Sequence, residues 1–277
     1  MKFLGTCAGI AFTITTAIMT FVTESQYIQF KPVSLVNMPD GDWIFFCRVG
    51  LLIFFLILCI VIRLLYNAFW WRRKISGRDY SIIVEYGNLF EKSNCKKVIS
   101  FDECYTTELG EEPDQIKADS VCGQYLIWLR NNDKTLDMPA LIKKYEPKLS
   151  RKKSKYKKRE CYMPGTLIPD GNGFLLMAFS KLSEDGLAEM TYQEYRDCLD
   201  LLWEQIDIYY GSQSVCVPIL GSGRTRFGAN KPTQQQLLDI MIESYKLSQK
   251  KLRNKYKLHI ICAKSDGFSL NKIGQTL

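Results

Sequence analysis

Apolar positions along this chain are grouped in two ways. Up to residue 71 they run on almost without a break, and beyond it they recur at the periods of strands and helices. From Phe3 to Val22, "FLGTCAGIAFTITTAIMTFV" holds no charge in 20 residues, enough for a helix to cross the hydrocarbon core of a bilayer. It is too long, and lacks the small-residue cleavage site, to read as a signal peptide. A second stretch, Trp43 to Trp71, has an uncharged centre, Val49 to Ile62, of 14 residues. Arg48 and Arg63 flank that centre, where long side chains reach the head groups, and Trp43, Trp70 and Trp71 form an interfacial belt. The pattern predicts two transmembrane helices, at about 3–22 and 43–66, within a membrane region 1–74.

Beyond it the pattern alternates. "YSIIVEYG" (Tyr80 to Gly87), "KKVISFD" (Lys96 to Asp102), the continuous apolar run "GFLLMAFSKL" (Gly173 to Leu182), Val215 onward and "YKLHIICA" read as strands. Helices are predicted over Ser120–Asn131, from a T-x-x-E capping box at Thr191 and Glu194 to Gly211, and from Pro232–Thr233 through Leu238, Met241, Ile242, Tyr245 and Leu252. Alternation of this kind predicts an α/β domain over 75–277, its sheet covered on both faces.

Charge changes the picture in two places. The loop Thr23–Asp42 carries Lys31 against Glu24, Asp40 and Asp42, whereas Arg72–Lys74 is "RRK". The positive-inside rule then places both termini in the cytoplasm of a protein that crosses the membrane twice. The net charge of +8 comes from one run, Lys143–Arg159, with ten Lys/Arg and one Glu; at +9 it leaves the rest near neutral. This basic insertion, about 143–160, predicts an extended, self-repelling loop. Only Tyr145 and Tyr156 interrupt it, too few for base stacking, so anionic head groups rather than nucleic acid are its expected partner. Ten cysteines without a C-x-x-C pair and a single histidine, His259, predict reduced thiols and no metal site.

Ligands of such folds sit beyond the carboxyl ends of strands. "FDECYTT" (Phe101–Thr107) and "GSGRTRFG" (Gly221–Gly228) hold that position. Asp102, Glu103, Tyr105, Thr106 and Thr107 suit hydroxyls and an aromatic base; Ser222, Gly223 and Arg224 suit a diphosphate, held by backbone N–H groups. Two familiar phosphate motifs fail on spacing. The third glycine position of G-x-G-x-x-G is Arg226, and the P-loop lysine position after Gly228 is Ala229.

"YGNLFEKSNCKKVISFDECYTT", "SVCGQYL", "LLMAFSKLSEDGLAEMTYQEYRDCLDLLWEQID" and "VPILGSGRTRFG" together resemble the macro-domain subfamily of the ThsA effectors of Thoeris anti-phage systems, in their membrane-anchored type. The resemblance implies a macro-like three-layer α/β/α domain with a mixed sheet. It implies that Ile219–Phe227 (Leu220, Gly221, Ser222, Gly223, Arg224, Thr225, Arg226 and Phe227 among them) holds a diphosphate and distal ribose. Asn88 and Leu89 then lie near the adenine, and Ser100, Phe101, Asp102, Tyr105 and Thr106 lie on the ligand's other side. The implied ligand is an ADP-ribose derivative similar to histidine–ADP-ribose, made from NAD by a TIR-domain partner, with no cofactor or metal. Bound protein is then expected to form a homo-oligomer and disrupt the host membrane. Macro domains that remove ADP-ribose carry an asparagine- and glycine-rich loop; here that loop reads "SFDECYTTELGEE", which favours binding over hydrolysis. The alternative is a membrane-anchored hydrolase of ADP-ribose conjugates.

Overall fold

A computed structural model describes residues 2–32, 38–112, 115–228 and 231–276; the side chains of 2–6, 63 and 66–70 lie outside the description. The interfacial roles expected of Arg63 and Trp70 fall on those side chains. The chain divides into two units, Met1–Trp71 and Arg72–Leu277.

The first unit is helical: α1 (Lys2–Phe21), α2 (Glu24–Gln29) and α3 (Asp40–Trp70). Cys7, Ala11 and Thr15 are buried at intervals of four residues, a stripe of small side chains along which α1 packs on α3. Thr13, Thr15, Thr16 and Thr20 each donate a hydroxyl to the carbonyl four residues back, at 2.8–2.9 Å, which satisfies those groups inside the helix. Among the described residues one helix segment, Asp40–Ile62, is long and apolar enough to cross a membrane, whereas the described apolar part of α1, Cys7–Phe21, is shorter. Arg48 finds a partner within the chain, Glu24 at 3.2 Å, and the Trp43 indole donates to the Tyr27 carbonyl at 2.8 Å.

The second unit is built on a mixed sheet in the order β1-β2-β8-β7-β3-β5-β4, with β6 on β5. Its strands are β1 (Arg72–Ser76), β2 (Ser81–Tyr86), β3 (Cys95–Asp102), β4 (Leu167–Pro169), β5 (Phe174–Leu182), β6 (Ala188–Glu189), β7 (Ser214–Pro218) and β8 (Leu258–Cys262). Strands β2, β8, β7, β3 and β5 are parallel; β1 and β4, at the two edges, run against them. One face is covered by α6 (Tyr192–Tyr209) and α7 (Gln234–Leu247), the other by α4 (Val121–Asn131) and α5 (Met138–Tyr145). With helices on both sides, the central strands need no polar face, and β5 is buried almost throughout.

Local signals set the helices. Thr191 and Glu194 form their reciprocal cap, and Tyr195, Leu199, Leu202 and Ile206 follow along one buried stripe. Thr233 caps α7, which stops at Leu247 rather than continuing to Leu252. Ser248 leaves the helix in an extended conformation, its hydroxyl accepting from Lys250 N–H at 3.1 Å, and Leu252 returns separately to the core.

Three elements depart from the pattern. "RRK" is part of β1, where Arg72 pairs with Glu85, so the sheet begins at the residue after Trp71. The leading end of the basic run is the last turn of α5, capped at Asp137, whose carboxylate accepts from Ala140 N–H. The remainder of the run is a folded-back loop rather than an extended one. Leu149 pairs with Tyr162, and Ser150 and Ser154 donate N–H groups to Cys161 and Arg159 carbonyls at 2.9 and 3.0 Å. Buried Ser154 donates its hydroxyl to Glu103 at 2.6 Å. A carboxylate in the body of the domain thus pins a loop whose own charges repel.

Candidate functional site: a cleft at the carboxyl ends of the parallel strands

The turn after β7 is shaped from beneath. Gly221 has φ +77°, and a β-carbon there would lie 2.8 Å from the Phe227 ring. Phe227 is itself held edge-on against Tyr195, whose hydroxyl donates to the Leu220 carbonyl at 3.1 Å. Farther along, Arg226 exchanges hydrogen bonds with β6, donating to Ala188 at 2.9 Å and accepting from Met190 at 2.8 Å. Between these fixed points, the N–H groups of Ser222, Gly223 and Arg224 meet no acceptor among the described residues. A β-carbon on Gly223 would meet nothing within 4 Å. The turn therefore offers adjacent free donors over open space, a geometry suited to an anion.

The facing wall comes from the ends of β2 and β3 and the start of α4. After β2, Asn88 caps a 3-10 turn, Leu89–Glu91, by accepting from Phe90 N–H at 3.0 Å. At the end of β3, Asp102 accepts from Cys104 N–H at 2.7 Å and Thr106 N–H at 3.3 Å, which folds the chain so tightly that Tyr105 takes φ +53°. Ser120 caps α4, its hydroxyl accepting from Gly123 N–H at 3.0 Å. The positive end of that helix dipole opens on the same space.

Together these segments enclose a cleft of about 880 Å3. Pockets for small ligands span roughly 300–1,000 Å3, so this one has room for a nucleotide-sized molecule. Across its mouth, Arg224 from the glycine turn grips Asp119 with both carboxylate oxygens at 3.0 Å.

The family model "Thoeris protein ThsA, Macro domain" matches residues 82–263, from β2 to just beyond β8. The chain belongs to this ThsA macro-domain family. It is similar to Thoeris protein ThsA of Bacillus amyloliquefaciens (strain Y2), 28% identical over 194 residues. That match covers 68% of this chain and 64% of the relative, under two thirds of its length.

Within this ThsA macro domain, Asn88, Leu89, Ser100, Phe101, Asp102 and Gly221 to Arg226 line the cleft. Tyr105, Thr106, Leu220 and Phe227 are not among its lining residues. Tyr105 points into the core, its hydroxyl on the Thr166 carbonyl at 3.0 Å and its ring beside Phe101 and Tyr162. Leu220 and Phe227 form the packed underside of the turn. The glycine needed for the backbone conformation is Gly221, whereas Gly223 leaves room for whatever enters. Glu103 is directed to the insertion rather than to the cleft. Sequence reasoning missed the approach to α4 and its first turn, chiefly Lys117, Asp119 and the cap Ser120 before the helix and Cys122 within it. Its signal was present, because Ser120 opens a helix after a strand, the usual place for an anion in an α/β sheet.

Electrostatics separate the carboxylates. Burial pushes Asp102 above the ordinary carboxylate pKa, against the lowering effect of the bonds from Thr106 and Cys104. Burial likewise holds the Cys122 thiol well above its usual value, which keeps it protonated and unreactive. His259 lies mid-strand on β8, outside the lining residues, with Nδ1 2.7 Å from Glu85. Burial lowers its pKa although Glu85 pulls the other way.

Proposed function

We propose that this chain is an anti-phage effector of a Thoeris system, whose macro domain senses an ADP-ribose-derived signal. The signal is similar to histidine–ADP-ribose and comes from a TIR-domain partner acting on NAD. Signal-bound copies self-associate, and their helices disrupt the bacterial inner membrane, which each copy crosses twice with both termini in the cytoplasm. The observation that carries the reading is the glycine turn, with three successive N–H groups lacking an acceptor among the described residues, set opposite the N-terminus of α4. Two such anion-favouring features across one cleft suit the diphosphate of ADP-ribose.

The domain acts in this reading as a sensor, without catalysis. Among the lining residues, the Cys122 thiol is protonated, the Asp102 carboxylate is committed to its own turn, and Glu111 and Asp119 are paired with Lys117 and Arg224. On the membrane side, Asp40–Ile62 spans 23 residues, about 35 Å as a helix, and carries exposed Phe45, Phe46, Phe54 and Ile57. The hydroxyls of Thr13, Thr15, Thr16 and Thr20 in α1 are satisfied internally, which suits a second crossing.

Calorimetry of the full-length protein with ADP-ribose and with its histidine conjugate tests the reading, with mass spectrometry of the recovered ligand. Saturable binding with intact ligand is the expected result. Steady release of free ADP-ribose from the conjugate would instead assign the hydrolase, and absence of binding would remove the cleft from the account.

A further inference from the structure

We infer that the basic insertion is a second membrane contact, a docking surface for anionic phospholipid located at the ligand-cleft end of the domain. The inference rests on the proposed membrane crossing, and its first support is topological. Both edge strands run against the parallel set, so the chain enters each from the carboxyl side of that set, β1 close to the end of β2 and β4 midway along β5. On one edge, Arg72 enters opposite Glu85, one residue before the end of β2. Toward the other edge, the insertion closes on Tyr162, whose N–H donates to the Glu103 carbonyl just past the end of β3. The chain therefore enters the sheet, at Arg72, at the same end as the insertion, the end that the cleft also occupies.

The surface itself fits lipid better than nucleic acid. Arg151, Lys152, Lys153 and Lys158 are exposed on a loop whose fold is fixed by the Leu149–Tyr162 pairing and by buried Ser154. Lys157 and Lys158 both take positive φ at its tip, near +50°. Beside these cations Leu149 is 57% exposed. An apolar side chain in a cationic patch suits an interface where head groups meet acyl chains. Nucleic acid would call instead for open aromatic faces, and Tyr156 already carries Lys157 and Arg159 against its ring, at 4.6 and 5.6 Å.

The insertion is also tied to both walls of the cleft. Glu103, which holds Ser154, adjoins Asp102; Lys155 pairs at 2.7 Å with Glu189 of β6, the strand bonded to Arg226 of the glycine turn. A bilayer gripping the insertion is thereby in contact with the elements a ligand would order. By linkage, ligand and anionic lipid then strengthen each other.

The full-length protein reconstituted into vesicles tests this, with tryptic cleavage at Lys155–Arg159 as the readout on outward-facing copies. Vesicles containing phosphatidylglycerol should slow cleavage roughly tenfold relative to phosphatidylcholine alone, and added salt should abolish the difference. Substituting Leu149, Arg151, Lys152 and Lys153 together by serine should remove the protection, while ADP-ribose affinity measured without anionic lipid stays within a few-fold. Equal cleavage in both vesicle types would overturn the inference, as would protection by an oligonucleotide regardless of lipid. An alkaline wash scores the membrane reading separately. Protein released by it but still protected by anionic vesicles keeps the docking surface and loses the crossing; protein retained but unprotected does the reverse.

Discussion

Two glycines in one turn make opposite demands. At Gly221 the backbone has positive φ and a β-carbon would press on a ring that is itself wedged against Tyr195. Gly221→Ala should therefore destabilise the domain by about 1–3 kcal/mol, visible as a lower thermal midpoint. Gly223 has ordinary φ and open surroundings, so Gly223→Val should melt within about 0.5 kcal/mol of wild type. The same variant should lose roughly tenfold or more in ADP-ribose affinity, because its side chain occupies the approach to the free N–H groups. Loss of folding in Gly223→Val, or unchanged affinity, would show that the turn is built for something else. The Glu85–His259 pair gives a pH dependence of definite sign. Burial keeps the folded histidine below the ordinary imidazole value of 6.5, so near pH 6 the unfolded chain binds more protons. Burial alone would raise Glu85, but bonds from His259 and Lys92 outweigh it and leave its pKa below 4.5. Both contributions are present at neutral pH. That of His259 is lost as pH falls from 6.5 toward its folded value, and that of Glu85 below 4.5. Denaturant titrations from pH 7.5 to 5 should show falling stability, flattened in His259→Gln; an unchanged slope in that variant would assign the dependence elsewhere.

At the scale of elements, the Asp119–Arg224 bridge joins the start of α4 to the glycine turn across the cleft. Both partners are well exposed, so the bridge itself is weak, and an anionic ligand competes with Asp119 for the same guanidinium. Asp119→Asn should raise ADP-ribose affinity about two- to fivefold, while Arg224→Ala lowers it roughly tenfold. If Asp119→Asn instead weakens binding, the carboxylate serves to hold Arg224 in place. Such cross-cleft relations are what a linear sequence hides. The capping box at Thr191 and Glu194, the helix start at Thr233 and the doubly buried run of β5 are local or periodic, and they were legible residue by residue. The short edge strand β4 and the β1 pairing of "RRK" were not, because pairing with a neighbouring strand, rather than propensity, makes them strands. Position beyond a strand located the two cleft loops, yet could not tell a side chain lining the space from one supporting it. Tyr105 and Phe227 support it; Asp102 and Arg224 line it. The basic run was misread because its anchor, Glu103, lies about 50 residues upstream of Ser154.

For the whole molecule, α3 ends at Trp70 and β1 begins at Arg72, so a single residue separates the apolar helix from the sheet. In the proposed function, a junction that short would pass association of the macro domains into the helices. Arg48 pairs with Glu24 in the same chain through one guanidinium nitrogen, while its buried Nε has no partner among the described residues. Ligand acts on the membrane only by favouring one arrangement of the full protein over another, and self-association through the domains is the arrangement proposed. Dye-filled vesicles bearing the full-length protein test this most directly, with histidine–ADP-ribose added to wild type and to Gly223→Val. Leakage is expected from wild type only when the ligand is present, and none from the variant. Equal leakage with and without ligand, or none while calorimetry shows intact binding, would contradict the proposal.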